Sequence, residues 1–406
     1  MRLVKAEFSG FGRLADAKIN LDNKVIAIVG PNEAGKTTLL KALAYIDNGA
    51  ALAVSERSRG LGGQEVEDNH VVVKVQYLLD DSDRAEVADL DLEEPPKSLW
   101  LSKTADGGSV HKTVAPHPRK AMAPLRESLK SLRKSMTKAN IAAISPVISE
   151  EEDAVQPDER HVSLGQRLSD AIDQIKPNDE LTVLPELVAE FNPAIWLAEL
   201  DEFGLDGPIR EALTQVTAWL EKADPAAEAA ERLHNVSPDI LLFTDADRSL
   251  ASSYTISDET VANPPPALRN ITLMADLSLP ALWKTISNGD EGARETHIEL
   301  ANQTLQSKFA TAWKQSSISV QLKIEGTVLS IRIKQDGKTI TQFHERSAGL
   351  QMFVALVAFL AVKGQTVPPI LLIDEAETHL HIDAQADLVN TFMTQQQVKS
   401  LDVVYR

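Results

Sequence analysis

The sequence predicts an α/β fold: a mixed sheet wound by helices and interrupted by a helical insertion. Three observations predict it. "KVIAIVGPNEAGKTTLL" near the start is an apolar strand, a glycine-bearing loop and a helix in succession. "PPILLID" near the far end is a fully apolar run of the kind found in the centre of a parallel sheet. Between them lies a long stretch in which prolines repeatedly stop helices. At 406 residues the chain is long enough for two or three domains, or for one domain with a large insertion.

Each part follows from local pattern. Residues 1–85 are strand-rich: "LVKAEFSGF", "AKINL", "KVIAIVG" and "HVVVKVQYLL" alternate or run apolar, and a helix follows Gly35. Residues 86–235 read as helical and broken, with Pro95, Pro96, Pro116, Pro118, Pro124, Pro146, Pro157, Pro177, Pro185, Pro193, Pro208 and Pro225 limiting every helix. No long coiled coil can run through them. This insertion is a candidate for dimerisation or partner binding. In residues 236–406 strands return. "DILLFTD" is a buried strand, and "ISVQLKI", "TVLSIRI", the Asp336-Gly337 turn and "KTITQF" read as an antiparallel meander. The apolar run 354–362 reads as a buried helix. The acidic run 150–153 and the triple Pro264-Pro265-Pro266 read as linkers.

Composition bounds the function. Hydrophobic content is 43% and charged content 25%, ordinary for a globular protein. No stretch is long and charge-free enough to span a membrane, and "MRLVKAEFSGF" alternates like a strand rather than forming a signal-peptide core. With no cysteine, disulfides and thiolate metal sites are excluded, and a cytoplasmic setting fits. A net charge of −18 argues against a protein coated all round with nucleic acid, though it permits a local basic groove.

The chemistry concentrates in three places. Gly30, Pro31, Asn32, Glu33, Ala34, Gly35, Lys36, Thr37 and Thr38 fit the spacing G-x-x-x-x-G-K-[ST]. Glycines let the backbone wrap a phosphate, and the amides at the helix start point at it. Lys36 supplies charge to the β- and γ-phosphates of ATP, and the Thr37 hydroxyl is a ligand for Mg²⁺. "ILLIDEAE" ends a buried strand in Asp374, which can hold the Mg²⁺. Glu375 follows and can orient or deprotonate the attacking water. "ERSAGLQMF" puts Ser347 and Gly349 at the mouth of the buried helix. Ser347 is an ordinary N-cap there. The order glycine loop, Ser-x-Gly-x-Gln, apolar strand plus Asp-Glu is also that of an ATP-binding cassette. In that class the serine and the glycine amide reach the γ-phosphate of a nucleotide held by the other subunit of a head-to-tail dimer.

Together these segments resemble the SMC/RecF-like branch of the cassette ATPases, and most closely the OLD (overcoming lysogenisation defect) family of ATP-dependent endonucleases. "MRLVKAEFSGFGRLADAKINL" is similar to that family's opening strand pair, "GPNEAGKTTLLKAL" to its Walker A loop, "ERSAGLQMFVALVAFL" to its signature helix and "LLIDEAETHLHIDAQADLV" to its Walker B segment, with Leu380 and His381 at the D-loop-like turn. The resemblance covers both ends, about half the chain. Two features depart from it: the proline or glycine usual near Ala376 and Glu377 is missing, and the Thr-His-Ser switch and Toprim nuclease domain that the family places after a strand like "LDVVYR" do not follow before Arg406. The resemblance implies an ABC-type ATPase module that binds and hydrolyses ATP with Mg²⁺ as a head-to-tail dimer. It implies control of a nuclease supplied outside residues 1–406, by a further domain or a partner subunit, on DNA, in phage defence or DNA repair. A structural SMC-type ATPase would need long heptad arms, and a transporter's nucleotide-binding subunit would carry a closer Leu-Ser-Gly-Gly-Gln signature.

Other charged stretches have plainer readings. Asp245 and Asp247 in "LLFTDADRS" resemble the Asp-x-Asp of a Toprim metal site, but a strand end and helix cap explain them better. In "PRKAMAPLRESLKSLRKSMTKAN" an apolar stripe of Leu125, Leu129, Leu132 and Met136 lies beside Arg126, Lys130, Arg133, Lys134 and Lys138. That predicts an amphipathic helix with a solvated face, the alternative being a DNA-backbone or acidic-partner contact. His379 and His381 read as turn residues near the nucleotide rather than metal ligands.

Overall fold

The computed structural model describes residues 1–23, 25–31, 33–59, 65–145, 158–175, 185–312, 318–335, 337, 339–363, 369–374 and 402–405. In chain order the strands are β1 (Arg2–Phe11), β2 (Leu14–Asn20), β3 (Val25–Ala27), β4 (Val71–Leu78), β5 (Ser98–Thr104), β6 (His111–Ala115), β7 (Ile240–Phe243), β8 (Ser253–Thr255), β9 (Ile318–Glu325), β10 (Val328–Gln335), β11 (Thr339–Gln342), β12 (Ile370–Ile373) and β13 (Asp402–Tyr405). The expected α/β fold is present, with parallel and antiparallel strands sorted into separate sheets.

The chain divides into two compact units. One contains Met1–Asp80, Ser98–Thr113 and His234–Arg406, and the other contains Asp81–Lys97 and Val114–Leu233. The first unit holds three sheets. Strands β2-β1-β4-β5-β6 form one, with β1 antiparallel to β2 and β4, and β4 antiparallel to β5. Its alternation is that of a half-buried sheet: Ala6, Phe8, Val73, Val75, Tyr77, Leu99 and Leu101 are buried, while Lys5, Glu7, Lys74 and Trp100 face outward and half-exposed. Strands β8 to β11 form a second, antiparallel sheet around β10. The third is parallel, in the order β3-β13-β12-β7. Ile370, Leu371, Leu372 and Ile373 of β12 are all buried, as expected of a strand covered on both faces.

The helix Ala348–Lys363 is apolar on all sides, so burial is its stable state. Met352, Val354, Ala355, Leu356, Ala358 and Phe359 join one core with Phe243, Ile331, Ile333, Leu371 and Ile373. Phe359 meets Phe243 edge-on, with ring centroids 5.3 Å apart.

The second unit is helical, and its longest helix among the described residues is Glu159–Gln174, of 16 residues. On the helix Ala123–Ser135, Leu125, Leu129 and Leu132 are buried with Met136 packed alongside, and Arg126, Lys130, Arg133 and Lys134 are exposed, as is Lys138 beyond it. Two strands, β5 and β6, fall within the 86–235 stretch read above as helical. "SLWLSKT" is short enough for its alternation to be masked by the prolines around it. Pairing with β4 decides its state.

Candidate functional site

The glycine loop connects β3 to the helix α1 (Lys36–Ala44). Gly35 is the N-cap with φ 93°, a backbone state that disfavours any L side chain. No side chain caps this helix and no acid lies in its first turn. The leading amides of any helix lack intrahelical acceptors, and a helix start of this kind can receive an anion. Lys36 Nζ donates to the carbonyls of Gly30 and Pro31, both at 2.7 Å, which closes the loop on itself. Glu33 sits at φ 64°. Asn32 lies outside the described residues.

The turn between β1 and β2 braces this loop. Arg13 donates to the Glu33 carbonyl and lies 3.6 Å from its carboxylate. Gly12, at φ 53°, donates its amide to Glu56 O at 2.6 Å, and a Cβ there would stand 2.7 Å from Thr38 Cγ2. Sequence reading did not single out Gly12 or Arg13. The only signal available was their place in "FSGFGRL", and their contacts span a separation that local pattern does not report.

Asp374 reaches the same region through register. In the parallel sheet Ala27 pairs with Tyr405, Tyr405 with Ile373, and Ile373 with Phe243. β3 and β12 thus end on one rung, two strand spacings or roughly 10 Å apart, and both lead out at the carboxyl edge. The loop with Lys36, Thr37 and Thr38 follows one strand, and Asp374 follows the other. Glu375, Ala376, Glu377, His379, Leu380 and His381 lie outside the described residues.

Ser347 and Gly349 lie at the start of the helix Ala348–Lys363. Ser347 is exposed and caps the helix Ala348–Lys363: its hydroxyl accepts from Leu350 N at 3.4 Å and its carbonyl from Gln351 N at 3.1 Å. Gly349 is in the first turn, and Gln351 Nε2 donates to Arg346 O at 2.8 Å.

The Asp-x-Asp pair is engaged in capping. Asp247 forms a capping box with Thr244 and also accepts from Asn270 Nδ2 at 3.1 Å. Asp245 is paired with Arg248. Among the described residues no group of three or more His, Asp or Glu is placed to hold a metal ion.

At the far end of α1 the chain is clamped by buried polar groups. Tyr45 donates to Thr104 O at 2.9 Å, and buried Lys103 donates to the carbonyls of Ile46 and Asn48. Burial pushes the Tyr45 hydroxyl up and the Lys103 ammonium down from their usual ranges. Asp47 is exposed as a residue, but its part-buried carboxylate accepts from Ile240 N at 2.6 Å, and desolvation at that oxygen, reinforced by nearby Asp239, pushes the carboxyl up to about 6.

With the geometry in place, comparison adds a class. A family model described as an AAA domain matches residues 5–153, the stretch that contains β1 to β6 and the glycine loop. No curated protein matches the chain. Among solved structures, the SMC head domain from Thermotoga maritima aligns with a TM-score of 0.33 and 12% identity, over 100% of this chain and 88% of that one. An Smc head bound to the C-winged helix domain of ScpA gives a TM-score of 0.36 at 14% identity, over 100% and 89%. An Smc head with an extended coiled coil bound to the C-terminal domain of ScpA, derived from Pyrococcus furiosus, gives 0.35 at 14%, again over 100% and 89%. TM-scores of this size carry no assignment. Residues 5–153 are thus similar to an AAA domain, and the strand, glycine loop and helix around Lys36 within them are those of an α/β P-loop fold. No helix among the described residues is long and apolar enough to cross a membrane.

Proposed function

We propose that this chain is an ATPase module of the SMC/RecF-like ABC type, working as a head-to-tail dimer to control a DNA-processing nuclease. One observation carries the ATPase part: the register that sets the uncapped, Lys36-bearing start of α1 and Asp374 on the same edge of one parallel sheet. The residues suit ATP and Mg²⁺. The amides at the start of α1 would receive the phosphates, and Lys36 would exchange its two carbonyl partners for phosphate oxygens. The Thr37 hydroxyl and Asp374 carboxylate would hold Mg²⁺, which when bound would neutralise charge on the phosphoryl oxygens. Glu375 would accept the proton of the attacking water. Ser347 and Gly349 would complete the site of the partner subunit, using the helix start that also caps their own helix.

DNA as the ultimate partner, a nuclease domain or subunit, and a role in phage defence or DNA repair rest on the resemblance to the OLD family. The engaged state of Asp245 and Asp247 supports placing nuclease chemistry elsewhere. The helical unit would serve dimerisation or partner binding, with the exposed Lys130, Lys134 and Lys138 available to an anionic surface. The test is nucleotide binding and turnover. Lys36→Ala should weaken ATP binding about 10- to 100-fold, the worth of a charged hydrogen bond. Glu375→Gln should keep binding and lose turnover by about 10²-fold or more. Unchanged turnover in Glu375→Gln would remove that residue's role, and unchanged binding in Lys36→Ala would remove the ATP reading.

A further inference from the structure

"LLFTDADRS" carries charge that the proposed chemistry leaves unused, and its geometry gives that charge a task. β7 and β12 are parallel neighbours whose last residues, Phe243 and Ile373, share a rung, so Thr244 and Asp374 leave the sheet side by side. The turn after β7 is pinned from several directions. Thr244 and Asp247 cap each other, and Asn270 from the helix Pro266–Met274 holds the second Asp247 oxygen at 3.1 Å. From this fixed turn Arg248 extends a side chain that is only 12% exposed. One guanidinium nitrogen pairs with Asp245, and the other points at the carbonyl of Asp374, 3.5 Å away.

We propose that Arg248 is a positioning residue that ties the turn after β7 to the backbone of Asp374 and so sets how that acid is presented at the carboxyl edge. The inference rests on reading Asp374 as the Mg²⁺ ligand. A planar guanidinium can address a carboxylate and a carbonyl in two directions at once, which a lysine ammonium on its flexible stem does far less well. Asp245 neutralises the charge, so the contribution is geometric. The ordered turn transmits the packing of the helix Pro266–Met274 to the end of β12. The Asp-x-Asp-Arg sequence then reads as a strut beside the ATP site.

The test uses the full chain with two variants, Arg248→Met, which keeps length and removes every guanidinium donor, and Arg248→Lys. The first readout is amide hydrogen exchange across residues 370–373, measured without nucleotide or metal. The second is the Mg²⁺ concentration that half-saturates ATP turnover. Exchange in Arg248→Met should rise several-fold at the end of β12, with residues 71–78 of β4 unchanged. Its Mg²⁺ requirement should rise about threefold, since a contact at 3.5 Å is a long hydrogen bond worth the low end of the usual range. Arg248→Lys should fall between the two. A folded Arg248→Met with wild-type exchange and wild-type Mg²⁺ dependence overturns the proposal. If Arg248→Met does not fold, wild-type values of both readouts in Arg248→Lys overturn it. If wild-type protein neither binds nor hydrolyses ATP, the ATPase reading fails, and exchange at residues 370–373 still decides whether Arg248 holds this strand end.

Discussion

The close approach of Gly12 to the phosphate loop can be tested by one double-mutant cycle. Gly12→Ala places a Cβ 2.7 Å from Thr38 Cγ2 and 3.8 Å from Thr38 Oγ1, on a backbone with φ 53°. The left-handed conformation alone costs an alanine about 1–2 kcal/mol. The overlap adds about 1–3 kcal/mol, because Thr38 lies in the first turn of α1, where a β-branched side chain has few rotamers into which to retreat. Thr38→Ser deletes the offending methyl and keeps the hydroxyl, at a cost of about 0.8 kcal/mol of lost burial. In the Thr38→Ser background, Gly12→Ala should therefore cost only its backbone strain, leaving the overlap of about 1–3 kcal/mol as the coupling between the two sites. Urea denaturation of the four proteins gives the stabilities, and ATP titration shows whether the loop is disturbed. If the turn braces the loop, Gly12→Ala weakens ATP affinity and Thr38→Ser restores part of it. Equal costs for Gly12→Ala in both backgrounds would refute the close approach, and with it the bracing.

Three further outcomes are expected. A mixed dimer of Ser347→Arg and Lys36→Ala chains should recover part of the ATPase activity that each parent lacks, because one composite site receives an intact Lys36 and an intact Ser347; a verified mixed dimer without rescue would return Ser347 to plain helix capping. Asp47 binds its proton more tightly folded than unfolded, so its contribution to stability is full below its ordinary value of 3.8 and is lost as pH rises through about 6. Linkage alone gives about 3 kcal/mol, which solvent at this exposed residue screens to about 1 kcal/mol; Asp47→Asn should therefore gain about that much at pH 8 and little at pH 4, and equal differences at the two pH values would discard the effect. Asp247→Ala should cost about 1–2 kcal/mol in thermal or urea unfolding through its lost capping box, while any Mg²⁺-dependent DNA cleavage by the chain that Asp245→Ala and Asp247→Ala abolish, and Glu375→Gln does not, would reverse the capping assignment.

What the sequence determined by itself was everything written in short-range pattern. The strand, glycine loop and helix around Lys36 span neighbouring residues, and their φ demands and amide geometry are local. Four consecutive apolar residues announced β12 as a central parallel strand, and the alternation on either side of Gly337 announced the β9–β10–β11 meander. What only the tertiary structure decided depends on partners far apart in the chain. Alternation in "SLWLSKT" becomes a strand because β4 is there to pair with it. The partners that brace Asp245 and Asp247 lie equally far off: Asn270 is 23 residues on from Asp247, and Arg248 points across to Asp374, 126 residues away. That Asp374 shares an edge with Lys36 follows from the register of β3, β13 and β12, and backbone pairing between distant strands leaves no mark in any one stretch of sequence.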